Sequence, residues 1–141
     1  MKIFVTGGSG LVGSFFVGNY SKKYQIIAPD YPKIDLTKKE TFEKIIREEK
    51  PDVILHFAAY TDVTQAESQR DDKNGACWQI NVEGTKDLAL LAKEINAHFI
   101  YISTDYVFSG PGSYEEVDVP ETDSSKLTWY GFTKGEAERV V

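Results

Sequence analysis

KIFVTGGSGLVG, residues 2–13, is the stretch whose reading decides the fold. Ile3 to Thr6 are β-branched or aromatic and run straight into a glycine cluster, after which apolar residues recur at helical spacing. The implied order is strand, tight turn, helix. The glycines satisfy two spacings: Gly8, Gly10 and Gly13 fit G-x-G-x-x-G, while Gly7, Gly10 and Gly13 fit the wider G-x-x-G-x-x-G. In either register the first glycine permits a turn closed to side chains. Gly10 lets the backbone approach a pyrophosphate, and Gly13 lets the helix pack closely on the strand. With the helix starting near Leu11, its unpaired N–H groups and positive dipole end face the anion. A glycine cluster also marks hairpin turns; its position between a strand and a helix is what makes it a dinucleotide site.

The chain has 141 residues, the length of one domain or of part of one, and enough to bury about two-thirds of its unfolded surface. Hydrophobic residues make up 41% and charged residues 27%, the balance of a soluble globular protein. Sixteen basic against twenty-two acidic residues leave a net charge of −6, and no basic stripe is present, which argues against nucleic acid as a partner. Cys77 is the single cysteine and cannot form an internal disulfide. There is no signal peptide and no apolar run of membrane-spanning length, so the cytoplasm is the expected compartment and no membrane is involved. Cys77, His56 and His98 lack neighbours at metal-ligand spacing and read as packing residues, with no metal expected.

Outward from the glycine turn, the first helix covers roughly Leu11 to Lys23, and Gln25–Ala28 reads as a second strand closed by Pro29. Asp30 lies twenty residues beyond Gly10, where a dinucleotide fold places the acid that accepts ribose hydroxyls; its charge favours NADH over NADPH. Beside Pro29 and Pro32 it also reads as a turn residue. Thr37-x-x-Glu40 has the pattern of a capping box ahead of Phe42, Ile45 and Ile46 on one helical face, and Pro51 marks the stop. Val53 to Ala59 is a continuous apolar run, the mark of a strand covered on both faces, and Ala58 and Ala59 leave room at its carboxyl end. Thr61 to Gly75 reads as a loop with a partial helical turn. A helix from about Ala76 to Ile95 follows, then a strand at Phe99–Ile102. A loop holding Gly110-Pro111-Gly112 leads to five acids, Glu115, Glu116, Asp118, Glu121 and Asp123, which read as a solvated face. A last helix begins near Thr128. The fold class is α/β, a doubly wound parallel sheet of Rossmann type.

Tyr130 and Lys134 stand four apart and share one face of that last helix. A tyrosine used as an acid-base group must exchange its proton near neutral pH although its ordinary pKa is about 10, and a nearby ammonium lowers it. Short pairs of this kind also arise by chance. Company strengthens this one: Thr104 at the carboxyl end of a strand, the glycine turn at the end of another, and the Tyr-Lys helix next in order point to one crevice.

TGGSGLVG (6–13), HFAAYT (56–61), INVEGT (80–85), STDYVFSG (103–110) and WYGFTKGEAE (129–138), in this order, resemble the extended short-chain dehydrogenase/reductases. More narrowly, AAYTDVTQAES and STDYVFSG resemble the dTDP-4-dehydrorhamnose reductase branch, which belongs to nucleotide-sugar metabolism and dTDP-rhamnose biosynthesis. The resemblance implies NAD(P)H-dependent reduction of the keto group of a nucleotide-linked sugar. Tyr130 would be the proton donor, Lys134 would lower its pKa and hold the nicotinamide ribose, and Thr104 would hydrogen-bond the reacting oxygen, with Asp105 touching the substrate. Gly7, Gly10, Leu11, Val12 and Gly13 would carry the pyrophosphate, Asp30 the adenosine ribose, Asp35 and Leu36 the adenine, and Ala58, Ala59, Tyr60 and Thr61 the middle of the cofactor. Related dehydratases carry a Glu where this chain has Tyr106, which disfavours elimination.

Members of that family run to about twice this length, so the resemblance implies that residues 1–141 would correspond to an incomplete NAD(P)-binding domain without the substrate domain. Phe99–Ser103 is then expected to be an exposed, apolar sheet edge. Lys126 stands where the family commonly has proline. The alternative reading is a non-catalytic NAD(P)-binding fragment, or a regulatory module resembling the regulatory subunit of methionine adenosyltransferase. Oligomeric state is open in both.

Overall fold

In a computed structural model of the chain, residues 1–110 and 112–141 are described; Pro111 of the expected Gly110–Gly112 loop lies outside them. Strands β1 (Lys2–Thr6), β2 (Gln25–Ile27), β3 (Val53–His56) and β4 (His98–Tyr101) form a four-stranded, fully parallel sheet in the order β2-β1-β3-β4. The register aligns Phe4 with Ile54 and Ile54 with Phe99.

Alternation along the strands sends side chains to two cores, as a doubly covered sheet requires. Phe4 and Ile54 point to a cluster with Ile34, Leu36, Phe42, Ile46, Leu88, Leu91 and Ala92. These last five come from helix α2 (Lys39–Glu49) and helix α5 (Thr85–Glu94). Ile3, Val5, Val53 and Leu55 point the other way, toward Phe16 and Val17 of helix α1 (Leu11–Tyr20). A third cluster, Ala66, Cys77, Trp78, Val82 and Trp129, joins the short helix α3 (Val63–Glu67) and helix α4 (Ala76–Trp78) to helix α6 (Trp129–Glu138). Trp129 is stacked between Trp78 and Phe132, with ring centroids 5.7 Å and 5.5 Å away.

Several expectations are corrected. The capping box is absent: α2 starts at Lys39 behind Lys38, which offers no side-chain cap. Thr37 instead gives its N–H and hydroxyl to Asp35 Oδ1, and Thr41 receives the Asp35 N–H and donates to the Lys38 carbonyl. These contacts compete with the cap for the same Thr37 hydroxyl. The strand expected over Val53–Ala59 ends at His56, because Phe57, Ala58 and Ala59 leave the ladder to form the groove wall described below. The helix expected over Ala76–Ile95 is interrupted by a π-helical segment at Gln79–Gly84, a local widening that apolar periodicity does not reveal. His98 opens β4 exposed to solvent and is not a packing residue. In β4 only the Phe99 side of the expected apolar edge reaches the core, while Ile100 and, just beyond, Ile102 are 47% and 41% exposed.

Candidate functional site

The chain leaves β1 and β3 side by side and places β2 and β4 on opposite flanks. The crevice outside their carboxyl ends is where an open α/β sheet takes its ligand. Two adjoining clefts lie there, ≈ 250 Å³ and ≈ 420 Å³, sharing Gly7, Ser9, Ala58 and Ala59 as a common wall. The first is closed by Asp30, Tyr31, Ile34, Asp35, Leu36 and Ile80. The second runs over Gly10, Leu11, Val12, Gly13, Thr61 and Ile102. Together they form one continuous groove.

The turn between them explains its glycines. Gly7 has φ +68°, and a Cβ there would sit 2.7 Å from the Ala58 nitrogen; at Gly13 it would meet the Gly7 carbonyl oxygen at 2.1 Å. Gly8 is also packed close, a Cβ there lying 2.9 Å from the Ala28 Cβ, so glycines of both spacings are required, and Gly7 is the one with positive φ. Gly10 differs: it is extended (φ −68°, ψ 171°), and a Cβ would meet only the Gly7 oxygen, at 3.2 Å. The chain itself makes little demand for glycine there, so the open space faces the groove. No side chain caps α1, and Leu11 and Val12 at its first turn are 91% and 57% exposed along the cleft. A helix start with unpaired N–H groups beside a cleft is suited to an anion.

Asp30 is a turn residue, as one reading expected, and it also borders the groove. Its carbonyl accepts the Lys33 and Ile34 N–H groups to open a turn, while its carboxylate Oδ1 accepts the Ser9 N–H at 3.1 Å and faces the first cleft. Asp35 lines the same cleft, and the Thr37 hydrogen bonds hold its carboxyl below the usual range. Tyr60 lines neither cleft. Its side chain packs on the Trp78–Trp129 cluster, with the hydroxyl donating to Gln65 at 3.1 Å, and only its backbone stays beside the groove wall.

Helix α6 is placed by several contacts at its start. Thr128 caps it by accepting the Gly131 N–H at 3.1 Å, Trp129 N–H donates to Glu67 Oε2 at 2.9 Å, and Arg70 donates to the Ser124 and Leu127 carbonyls. Gly131 lets the helix press onto the turn at Asp105–Val107, since a Cβ there would lie 2.2 Å from the Tyr106 oxygen. Tyr130 is thereby set beside Thr104 and Asp105, with the Tyr106 ring edge-on at 5.8 Å. Thr104 donates to Asp105 Oδ1 at 3.1 Å and accepts the Tyr106 N–H.

Lys134 is only 3% exposed. Its ammonium donates to the Ile102 carbonyl at 2.7 Å and lies 4.1 Å from the Tyr101 ring centroid. Burial lowers its pKa to about 8, and Glu138 opposes the shift. Ile102 is also a wall of the second cleft, whereas Lys134 itself lines neither cleft. The expected lowering of the Tyr130 pKa by Lys134 is not found. Burial raises the phenol, Asp105 adds to the rise, and the Thr104 hydroxyl partly offsets it.

The sequence matches the family described as "RmlD substrate binding domain" over residues 1–141. The chain belongs to that family. It is 35% identical to dTDP-4-dehydrorhamnose reductase of Aggregatibacter actinomycetemcomitans, over 99% of this chain and 46% of the relative. It is 33% identical to methionine adenosyltransferase 2 subunit beta of Rattus norvegicus, over 99% of this chain and 42% of the relative. Its fold superposes with a TM-score of 0.87 on the crystal structure of dTDP-4-dehydrorhamnose reductase from Bacillus anthracis in complex with NADP. That match is 31% identical and covers 99% of this chain and 48% of the other. The chain thus spans about half the length of the relatives it matches, and the Rossmann-type α/β assignment holds for the part they share.

Residues that sequence reading missed also belong to the site. Ser9, Tyr31, Ile34, Ile80 and Ile102 line the groove. Asn81, 1% exposed within the π-helical segment, accepts the Tyr60 N–H at 2.7 Å and donates to Thr133 on α6 at 3.0 Å. An amide side chain between Ile80 and Val82 is the only local signal that marks it. Among the described residues no group of three or more His, Cys, Asp or Glu is placed to hold a metal ion, and no helix is long and apolar enough to cross a membrane.

Proposed function

We propose that the groove binds NAD(P)H and that the protein uses it to reduce the keto group of a nucleotide-linked sugar, in the manner of the dTDP-4-dehydrorhamnose reductases. The observation that carries the reading is the open space at Gly10 beside the uncapped start of α1. It is a cradle that a side chain would fill, next to backbone donors suited to a pyrophosphate. In this reading Gly7, Gly10, Leu11, Val12 and Gly13 hold the pyrophosphate, Asp30 the adenosine ribose, and Asp35 and Leu36 the adenine. Ala58 to Thr61 border the middle of the cofactor, with Tyr60 acting through its backbone. Asp30 favours NADH, because its carboxylate repels a 2′-phosphate. The bound nicotinamide supplies the hydride.

Tyr130 gives a proton to the sugar ketone oxygen. Its raised pKa keeps the phenol protonated at neutral pH, which suits a donor, and Thr104 supplies a second hydroxyl to the same oxygen. The phenolate left behind needs a cation; Lys134, one turn along α6, would supply it by leaving the Ile102 carbonyl that it bonds in this structure. Asp105 contacts the sugar. The likeness to methionine adenosyltransferase 2 subunit beta supports a second reading, nucleotide binding without turnover. Thr104, Tyr130 and Lys134 together favour the reductase.

Fluorescence titration of the chain with NADH and NADPH tests the groove. Saturable binding is expected, and Gly10→Ala should weaken it at least about tenfold while leaving the melting temperature nearly unchanged, since the new methyl meets a single chain atom. Absence of binding by either nucleotide would overturn the reading. With a dTDP-4-keto-6-deoxy sugar present, nucleotide oxidation that Tyr130→Phe lowers by about 10²-fold or more supports the reductase, and binding without oxidation supports the regulatory module.

A further inference from the structure

His56 is 1% exposed, yet both of its ring nitrogens are engaged: Nδ1 lies 2.6 Å from Thr6 Oγ1 and Nε2 lies 3.0 Å from Thr85 Oγ1. The donors at these contacts follow from counting protons. The Thr85 hydroxyl has one proton and donates it to the Asn81 carbonyl at 2.7 Å, so toward His56 it can only accept, and Nε2 must carry the hydrogen. In a neutral ring Nδ1 is then bare and accepts the Thr6 hydroxyl. With that proton used, Thr6 Oγ1 is left to accept the Ala58 N–H at 3.3 Å. Beyond Asn81 the chain continues, as its amide donates to Thr133 Oγ1 at 3.0 Å and Thr133 donates to the Tyr130 carbonyl at 2.9 Å.

We propose that Thr6, His56, Thr85 and Asn81 form a buried relay that holds the Ala58–Tyr60 groove wall in register with α6. His56 is then a positioning residue fixed as the Nε2–H tautomer. The two ends of the relay are the two sides of the site: Thr6 and Ala58 flank the glycine turn, and Thr133 and Tyr130 belong to the helix that carries the proposed acid. The π-helical segment delivers the Asn81 carbonyl to Thr85 and its amide to Tyr60, whose N–H and carbonyl it holds at 2.7 Å and 3.2 Å. The surroundings keep the ring neutral. Phe99 and Tyr101 pack against it, Lys134 is the charged group facing it, and burial together with that ammonium lowers its pKa to about 3. A protonated ring would present an N–H to the Thr6 oxygen and take away the acceptor of the Thr6 hydroxyl proton, leaving that buried proton without its partner. The consequence for nucleotide affinity rests on the proposed groove; the tautomer and the wall geometry do not.

Two-bond proton–nitrogen correlation spectra of the ¹⁵N-labelled chain, at about pH 7 and about pH 5.5, read the tautomer directly. A His56 ring protonated only at Nε2 at both values is expected, and a ring protonated at Nδ1 would overturn the proposal. Thr85→Val, which keeps the shape and removes the hydroxyl, should shift the Ala58 and Tyr60 amide signals and weaken NADH binding about tenfold; Thr85→Ser should restore both. Unmoved amides, or an unchanged affinity in a variant that only melts earlier, would show that the threonine serves stability alone. If Thr85→Val does not fold, the unmodified chain's tautomer decides. If the unmodified chain binds neither NADH nor NADPH, the groove reading fails, and the tautomer and the amide shifts still decide the relay.

Discussion

His56 shows how one side chain couples the sheet to solution pH. Its ordinary pKa is 6.5, and burial holds it near 3 in the folded chain. Between those values the unfolded state binds one proton more than the native state, so stability rises with pH through this window and is lost as pH falls. The slope approaches about 1.4 kcal/mol per pH unit, and the loss from about pH 6.5 to about pH 5 amounts to roughly 1.5 kcal/mol. Below about pH 4.5 a second loss of the same sign begins. Glu121, which accepts the Asp123 N–H, Lys126, Ser109 and the Thr122 N–H, is held down to about 2 and must give up those bonds when protonated. Urea melts at a series of pH values check this: His56→Gln should flatten the segment between about pH 6.5 and about pH 5 while leaving the lower one in place.

At the scale of an element, α1 separates two uses of glycine in one helix. Gly13 is the contact point with the turn, where an added methyl would stand 2.1 Å from the Gly7 oxygen and 3.0 Å from the Gly8 Cα. Gly18, in the same helix, has nothing within 4 Å of that position. Gly13→Ala should therefore destabilise by more than about 2 kcal/mol despite its better helix propensity, whereas Gly18→Ala should stabilise by about 0.5–1 kcal/mol. Chemical denaturation of both variants measures the difference, and equal effects would show that α1 does not press on the turn. The same close approach governs α6 at Gly131. In both helices a missing Cβ sets how near the helix start comes to a strand-end loop, and hence where Leu11 or Tyr130 is delivered.

At the scale of the molecule, β4 is one of the two edge strands of the described sheet, with Ile100 in it and Ile102 just beyond it about half exposed. An apolar edge with unpaired backbone groups invites pairing with another chain. Ile100→Lys is expected to lower concentration-dependent light scattering with a change in stability of less than about 0.5 kcal/mol, and undiminished scattering would place the association elsewhere. Much of this architecture is legible in one dimension. The glycine turn, the apolar runs at Val53 and Phe99, and the Tyr130–Lys134 spacing announce strands, helices and their order, because side-chain periodicity and backbone freedom are properties of neighbouring residues. They also mark most of the groove, since its turn and first helical residues are contiguous. What they leave open depends on groups far apart in the chain. That Gly7 and Gly8 both need the missing Cβ is decided by Ala58 and Ala28 on neighbouring strand ends, and the failure of the Thr37 cap by Asp35 and Thr41. The raised Tyr130 phenol and the lowered Lys134 ammonium follow from burial that only packing creates. The Asn81 link from Tyr60 to Thr133 spans 21 residues in one direction and 52 in the other. The sequence by itself determined the fold class and the contiguous turn and first helical residues of the groove, because pattern follows from local chemistry. Only the tertiary structure decided their protonation and partners, because desolvation and hydrogen bonding depend on what the fold places next to each group.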